Sequence, residues 1–266
     1  MPDDARAGVD VGGTFTDVVT ASDGEVAVRK TPSTPDRPDE GVTNGLEAAA
    51  DAGLDLGALS FFGHGTTHAT NAVLEGDWAE TALLTTEGFR DVFEIGRQTR
   101  PDLYDLFAEK PTPIVPRERR HEVPERLDER GGVREPLSAD AVRDLAADID
   151  ADSVAVCLLF AFENDAHERR VRELLREAGI DAPITLSSVA HPEIREYERT
   201  VTTALDAALR PVMERYIDRL AGWLQAQGVP APLTVMASNG GLIAADDAAE
   251  RPTTTLLSGP AAGVQG

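Results

Sequence analysis

GVDVGGTFTDVV, residues Gly8 to Val19, decides how the rest of the chain is read. An apolar-alternating segment reaches Asp10, breaks at Gly12 and Gly13, and resumes through Thr14, Thr16 and Asp17. That alternation predicts two strands joined by a tight hairpin. Glycine has no Cβ, so Gly12 and Gly13 are expected to take positive φ and let an anion approach the backbone. Successive N–H groups in such a turn form an anion-binding concavity. Asp10, at its lip, is placed to hold a Mg2+ that accompanies phosphates, directly or through water. The functional expectation is a nucleotide-phosphate hairpin; the plainer alternative is an ordinary Gly-Gly turn. The hydroxyls of Thr14 and Thr16, with carboxylates at both ends, favour phosphate. Neither of the commoner phosphate loops, GxxxxGK(S/T) or GxGxxG, occurs in the chain.

The 266 residues suffice for one large or two moderate domains with a proper core. Acidic residues number 47 against 25 basic ones, a net charge of −22, and Lys30 and Lys110 are the only lysines. An acidic, lysine-poor surface fits high salt, where screening tolerates self-repulsion. The expectation is a cytoplasmic protein of a salt-adapted microbe. Nucleic acid is not expected as a partner, because phosphate contacts need clustered Lys and Arg. The single cysteine, Cys157, lies in VAVCLLFAF and reads as a core residue. The N-terminus lacks the basic start and apolar stretch of a signal peptide. No membrane span is expected, since the longest apolar run, Val154 to Phe162, is too short to cross a bilayer.

Beyond the hairpin, Glu25–Thr31 alternates as a third strand, and the loop of Pro32, Pro35 and Pro38 leads to a helix from about Glu40 to Ala52, stopped by Gly53. A strand at Ser60–Gly63 precedes a Gly-Thr turn and a helix from about Thr67 to Leu74; Thr81–Thr85 is a buried strand. Regular patterning is expected to stop from Gly96 to Arg130, a stretch with five prolines. Ser138 caps a helix, Val154–Phe162 reads as a buried strand, a helix from Asn164 or Asp165 ends at Gly179, and Ile184–Ser187 is a strand. A long helix spans about Arg195 to Gln227, its stripe of Val201, Leu205, Ala208, Val212 and Tyr216 recurring at three- and four-residue spacing. Leu233–Ala237 runs into the turn Ser238–Gly241. The rhythm predicts an α/β fold with a mixed sheet that opens on an antiparallel hairpin.

Five stretches stand in order: DVGGTFTD (10–17), GHGTTHATN (63–71), GFRDVFEIGRQTRPDLYDL (88–106), EYERTVTTALDAALRP (196–211), and MASNGG with LSGPAAG (236–241, 257–263). Together they resemble the N-terminal portion of the hydantoinase A/oxoprolinase family. That family includes N-methylhydantoinase, 5-oxoprolinase, and the β-type subunits of acetone and acetophenone carboxylases. The resemblance implies an actin-like ATPase (ribonuclease H-like) fold, with this chain an incomplete N-terminal part of a two-lobed protein. It divides the chain into an N-terminal domain over 1–190 and the start of a core domain over 191–266. The second phosphate loop of the family is expected beyond residue 266. His68 stands where the family has an apolar residue, and Ala237 where it has glutamine.

Each segment also has a plainer reading. Gly65-Thr66-Thr67 is a helix start whose N–H groups can hold an anion, or Thr66 merely caps the helix. Arg97 and Arg100 can grip a carboxylate or phosphate through bidentate forks, or are surface arginines. Arg199 reads as a structural ion pair with Glu196 and Glu198. Asn239 and Gly240 form a turn open to a ligand, or a tight hairpin. The cofactor expectation is ATP with Mg2+, the metal held at Asp10. Gly12, Gly13, Thr14, Thr16, Asp17, Thr66 and Thr67 surround the nucleotide, and Arg97, Arg100, Asn239 and Gly240 are substrate-pocket candidates. No catalytic base is assigned. The resemblance implies ATP-dependent activation of a cyclic amide or imide carbonyl for ring opening, together with a B-type partner subunit. The alternatives are a ketone carboxylase subunit, another actin-fold kinase, or a non-catalytic module.

Overall fold

The computed structural model describes residues 5–34, 37–99, 102, 104–105, 107–108, 110 and 112–258. The chain passes through β1 (Ala5–Val11), β2 (Phe15–Ser22), β3 (Glu25–Pro32), α1 (Pro38–Asp51), β4 (Leu59–Thr66) and α2 (His68–Glu75). There follow β5 (Thr81–Thr86), α3 (Val92–Ile95), β6 (Arg120–Val123), β7 (Arg126–Leu127), β8 (Val133–Glu135), α4 (Ala139–Ala146), β9 (Ser153–Cys157), α5 (Ala166–Glu177), β10 (Ile184–Leu186) and α6 (Ser187–Ala190). The long helix α7 (Glu196–Ala226), β11 (Leu233–Met236), β12 (Leu242–Ala244) and α8 (Ala245–Glu250) complete it. Two compact units result: residues 1–78 with 212–266, and residues 79–211. No helix among the described residues is long and apolar enough to cross a membrane.

The first unit is built on a sheet of order β12-β11-β4-β1-β2-β3. β1 and β2 form the expected antiparallel hairpin, and β1 pairs in parallel with β4, which pairs in parallel with β11. Alternation sets the faces: Ala5, Ala7, Val9 and Val11 are buried, whereas Arg6 and Asp10 point to the other side. The buried face packs with Val18, Val42, Leu46, Leu59 and Phe62, and with Leu220 and Leu224 of α7. α1 lies close to β2 because it carries glycine where the two touch. A Cβ on Gly45 would come within 2.5 Å of Val18 Cγ2, and one on Gly41 within 2.9 Å of Thr16 Oγ1. At the start of α1 the buried Asp39 accepts from Arg219 Nη2 (2.9 Å) and Arg37 Nη2 (3.0 Å). Burial pushes that carboxyl up, but the hydrogen bonds and charges of Arg219 and Arg37 outweigh it and hold Asp39 below its usual value.

The second unit has a parallel sheet of order β10-β9-β5-β6, a small β7-β8 ladder, and a core of Leu84, Val123, Val142, Val154, Val156, Leu158 and Leu174. Ser138 caps α4 by accepting from Ala141 N at 3.3 Å, as expected. Two expectations need correction. The strand expected to run to Phe162 stops at Cys157. There, side chains replace the ladder: Leu158 N donates to Glu168 Oε1 (3.0 Å) and Leu159 N to Thr86 Oγ1 (2.9 Å), and Phe160 turns the chain at φ 57°. The excursion from Gly96 to Arg130 is not without regular structure, since β6 and β7 lie inside it. The prolines there flank the strands without interrupting them.

The α1 contact gives a counterintuitive expectation. Gly45→Ala improves helix propensity, yet its methyl overlaps Val18, so it should destabilise the protein by about 1–3 kcal/mol. Urea unfolding checks this, and a stabilised variant would contradict the packing described.

Candidate functional site

Three parallel strands, β1, β4 and β11, end on the same edge of the first unit's sheet. Their carboxyl ends deliver Gly12–Thr14, Thr66–Thr67 and Ser238–Gly241, the edge at which open α/β sheets bind ligands. Motifs far apart in sequence are thereby gathered. Asp10 lies opposite Asp17 in the hairpin and opposite Gly65 in β4. Its carboxylate lies over Gly65, where a Cβ would come within 2.5 Å of Oδ1. Partial burial first, and the charge of Asp17 second, raise Asp10 above the ordinary carboxylate value. Asp17 is paired with Lys30 at 3.0 Å. Like charges directly opposite across a ladder are unfavourable, so a divalent cation at this spot would relieve a repulsion already present.

The turn itself departs from expectation. Neither Gly12 nor Gly13 has positive φ. Gly12 N donates to Phe15 O (3.0 Å), and Ser33 Oγ donates to Gly12 O (2.8 Å), so the loop after β3 sets the turn's shape in place of a left-handed glycine. A Cβ on Gly12 would come within 3.2 Å of Phe15 O, so the close approach is to the turn's own backbone. Among the described residues, neither the Gly13 nor the Thr14 N–H has an acceptor. These two donors match an anion.

On the other face of the sheet, Gly12, Gly13, Ser33, Thr34, Thr67 and His68 contribute to a cavity of about 210 Å³. The sequence pattern does not single out Ser33 and Thr34, which sit in a Pro-rich loop with only their hydroxyls as a signal. Thr16 is buried on that side, hydrogen-bonded to Ser33 Oγ at 3.1 Å. The strand β4 extends through Thr66, so the helix begins later than expected, at His68. Thr66 Oγ1 accepts from His68 N (3.1 Å), and Thr66 O accepts from Ser258 Oγ (3.1 Å). Thr67 Oγ1 donates to Val11 O at 3.2 Å. Asn239 Oδ1 accepts from Gly241 N (2.9 Å), and Gly240 has φ 81°, so this segment is a self-closed turn at the shared edge.

One candidate falls elsewhere. Arg97 belongs to the second unit, where its guanidinium pairs with Glu198. Arg100 lies outside the described residues. Arg199 is not the expected structural ion pair with Glu196 and Glu198. It is buried over the Phe162 ring and donates through Nη2 to Leu158 O at 2.8 Å. Glu198 is taken by Arg97, which leaves Arg199 to turn inward.

Behind the edge, His64 is buried between strand and helix. One ring nitrogen, Nδ1, is 3.1 Å from Val9 O, and the other, Nε2, is hydrogen-bonded to the Tyr216 hydroxyl. A proton on Nδ1 satisfies both partners, with the Tyr216 hydroxyl donating to Nε2. Burial lowers the His64 pKa to about 4, and burial raises that of Tyr216. The unfolded chain therefore binds a proton below pH 6.5 that the folded chain refuses until about pH 4. The associated stability is complete above pH 6.5 and lost as pH falls through that window, on the order of 3 kcal/mol. Urea unfolding from pH 7 to 4 should show this loss in the native chain and a shallower one in His64→Gln. Identical pH slopes would refute the assignment.

Comparison with known proteins agrees with this architecture. Residues 6–179 match the family model of the hydantoinase/oxoprolinase N-terminal region, and residues 199–266 match that of hydantoinase/oxoprolinase. The chain is 36% identical to the acetophenone carboxylase gamma subunit of Aromatoleum aromaticum, over 97% of this chain and 38% of that protein. It is 34% identical to caprolactamase subunit alpha of Pseudomonas jessenii, over 98% of this chain and 39% of that one. The crystal structure of the ATP-dependent caprolactamase from Pseudomonas jessenii superposes with a TM-score of 0.89, at 34% identity, over 98% of this chain and 39% of that chain. The chain thus spans about two fifths of the length of these two relatives. The fold is the actin-like, ribonuclease H-like α/β architecture with a mixed sheet. The chain belongs to the hydantoinase/oxoprolinase family.

Proposed function

We propose that the carboxyl edge of the first unit's sheet is the Mg-ATP phosphate site of an ATP-dependent enzyme component. Its reaction is the activation of a cyclic amide or imide carbonyl, 5-oxoproline- or hydantoin-like, for ring opening. One observation carries this reading: the Asp10 carboxylate lies over Gly65 and opposite Asp17 on the strand that leads into a turn whose Gly13 and Thr14 N–H groups have no acceptor among the described residues. Asp10 would hold Mg2+, with Asp17 as a second carboxylate, and Gly12, Gly13 and Thr14 would receive phosphate. Thr66 and Thr67 would close the far side of the nucleotide, and Thr16 would support the hairpin from beneath. ATP, when bound, would supply a phosphoryl group to the amide oxygen, which makes the ring carbon electrophilic enough for water to add. The ring C–N bond then breaks with nitrogen leaving as the amine, and hydrolysis of the acyl phosphate releases phosphate and the carboxylate. The chain's own contribution is positional: fixed N–H donors and carboxylates, aligned before the reaction. Of the substrate-pocket candidates, Arg97 lines a cavity of the second unit and would lie near the organic substrate.

The name ATP-dependent caprolactamase, borne by a relative that aligns along nearly the whole chain, supports ATP as activator and a lactam as substrate. The acetophenone carboxylase relative supports a second reading, a ketone carboxylase subunit, in which the same site activates a ketone. Both relatives are named as subunits, which supports a partner subunit of B type for this chain. The acidic surface supports a cytoplasmic location in a salt-adapted cell. The two family-model matches, ending at 179 and starting at 199, support a division of the chain at 190/191.

Asp10→Ala should abolish Mg-dependent ATP binding and turnover while leaving the circular dichroism spectrum unchanged. Gly65→Ala, which displaces the Asp10 carboxylate, should weaken Mg-ATP binding by about tenfold or more. Calorimetric titration of each variant with ATP, with and without Mg2+, decides the matter. Wild-type binding by Asp10→Ala would sink the metal assignment. A stimulation of ATP turnover by acetone or acetophenone, and not by lactams, would favour the carboxylase reading.

A further inference from the structure

The turn between β1 and β2 is held from one side by a single residue of the loop after β3. Ser33 N donates to Thr14 O at 3.0 Å, and Ser33 Oγ donates to Gly12 O at 2.8 Å. With the Ser33 proton spent on Gly12 O, the Thr16 hydroxyl is the donor in its 3.1 Å contact with Ser33 Oγ. Thr16 is buried, and Gly41 of α1 leaves room for its hydroxyl, since a Cβ there would come within 2.9 Å. A relay of two hydroxyls thus runs from the interior to the carbonyl of Gly12.

That carbonyl matters because of what lies at the other end of the same peptide. Gly12 O and the Gly13 N–H belong to one planar trans unit and point in opposite directions. With Gly12 O drawn toward Ser33, the Gly13 N–H is turned away from the loop, and it has no acceptor among the described residues. The glycine pair itself does not fix that choice. Rotating this peptide by half a turn changes ψ of Gly12 and φ of Gly13 together and carries Gly13 toward positive φ, which costs glycine little. A Cβ on Gly13 would meet nothing within 4 Å, so its surroundings do not resist the rotation either. The rotated turn would present a carbonyl oxygen where an anion needs a donor.

We propose that Ser33 is a positioning residue of the phosphate turn, which locks the Gly12–Gly13 peptide with its N–H outward. The inference rests on the phosphate reading above and adds the residue that decides whether the turn offers a donor or an acceptor. In calorimetry on the full chain, Ser33→Ala should weaken binding of Mg-ATP, and of inorganic tripolyphosphate with Mg2+, about tenfold. Ser33→Thr keeps the hydroxyl and should bind as the native chain does. Gly13→Ala makes positive φ costly, so in that background Ser33→Ala should weaken binding by at most about threefold. In the unliganded Ser33→Ala chain, amide relaxation dispersion should show exchange, or a displaced resonance, at Gly13. Native affinity in Ser33→Ala, an equal loss with and without the Gly13 substitution, or an unchanged Gly13 resonance would overturn this role and leave the phosphate site standing. A native chain that binds neither Mg-ATP nor tripolyphosphate would instead overturn the phosphate reading, and this role with it.

Discussion

The closeness of β1 and β4 at one point constrains everything around the carboxyl edge of the first unit's sheet. Parallel pairing sets Asp10 beside Gly65, and only the missing side chain of residue 65 allows the carboxylate to lie across the neighbouring strand. The same register places Val9 beside His64, so one step along the ladder changes from an outward carboxylate to an inward imidazole. A shift of one residue would exchange the two faces. It would bury a charge beneath α7 and turn a histidine toward solvent. The register is thus fixed by chemistry on both faces as well as by apolar burial.

The inward side is held by a buried polar chain rather than by apolar packing alone. His64 joins the backbone of β1 to Tyr216, and Tyr216 lies in the part of α7 that belongs to the first unit. His68 stacks near the same tyrosine, with ring centroids 4.8 Å apart. Burial keeps both histidines less basic than in water, which suits a network with no room for an added proton. The polar residue at position 68, where the family pattern has an apolar one, therefore has a place in the structure: it lines the small cavity and rests on Tyr216.

Periodicity made most elements legible because their burial is one-sided. β1, β2, α1, α5 and α7 were readable from the alternation or the three- and four-residue spacing of their apolar residues, and their ends lie within a few residues of those expected. What could not be read depends on partners distant in sequence. β9 ends where Glu168 and Thr86 supply acceptors to the following N–H groups, although the apolar run continues. β6 could not be seen among prolines and charges, because its buried Arg120 is made tolerable by Glu94 and the Val115 carbonyl. At the candidate site, the glycines and Asp10 stand out in the sequence. Ser33 does not, because its importance lies in a single bond to Gly12 O, 21 residues away.

The glycines of α1 carry a consequence for the order in which the structure assembles. Two glycines in fourteen residues make this helix intrinsically weak, by about 2 kcal/mol relative to alanines. It therefore depends on docking against β2, where Gly41 and Gly45 meet Thr16 and Val18. A helix of this kind gains its structure only after the hairpin exists to receive it. Its amide protons are protected by the sheet as much as by its own hydrogen bonds, so helix and hairpin open to solvent as one cooperative segment. The turn proposed to hold phosphate is thus built into the same foldon as the helix beneath it.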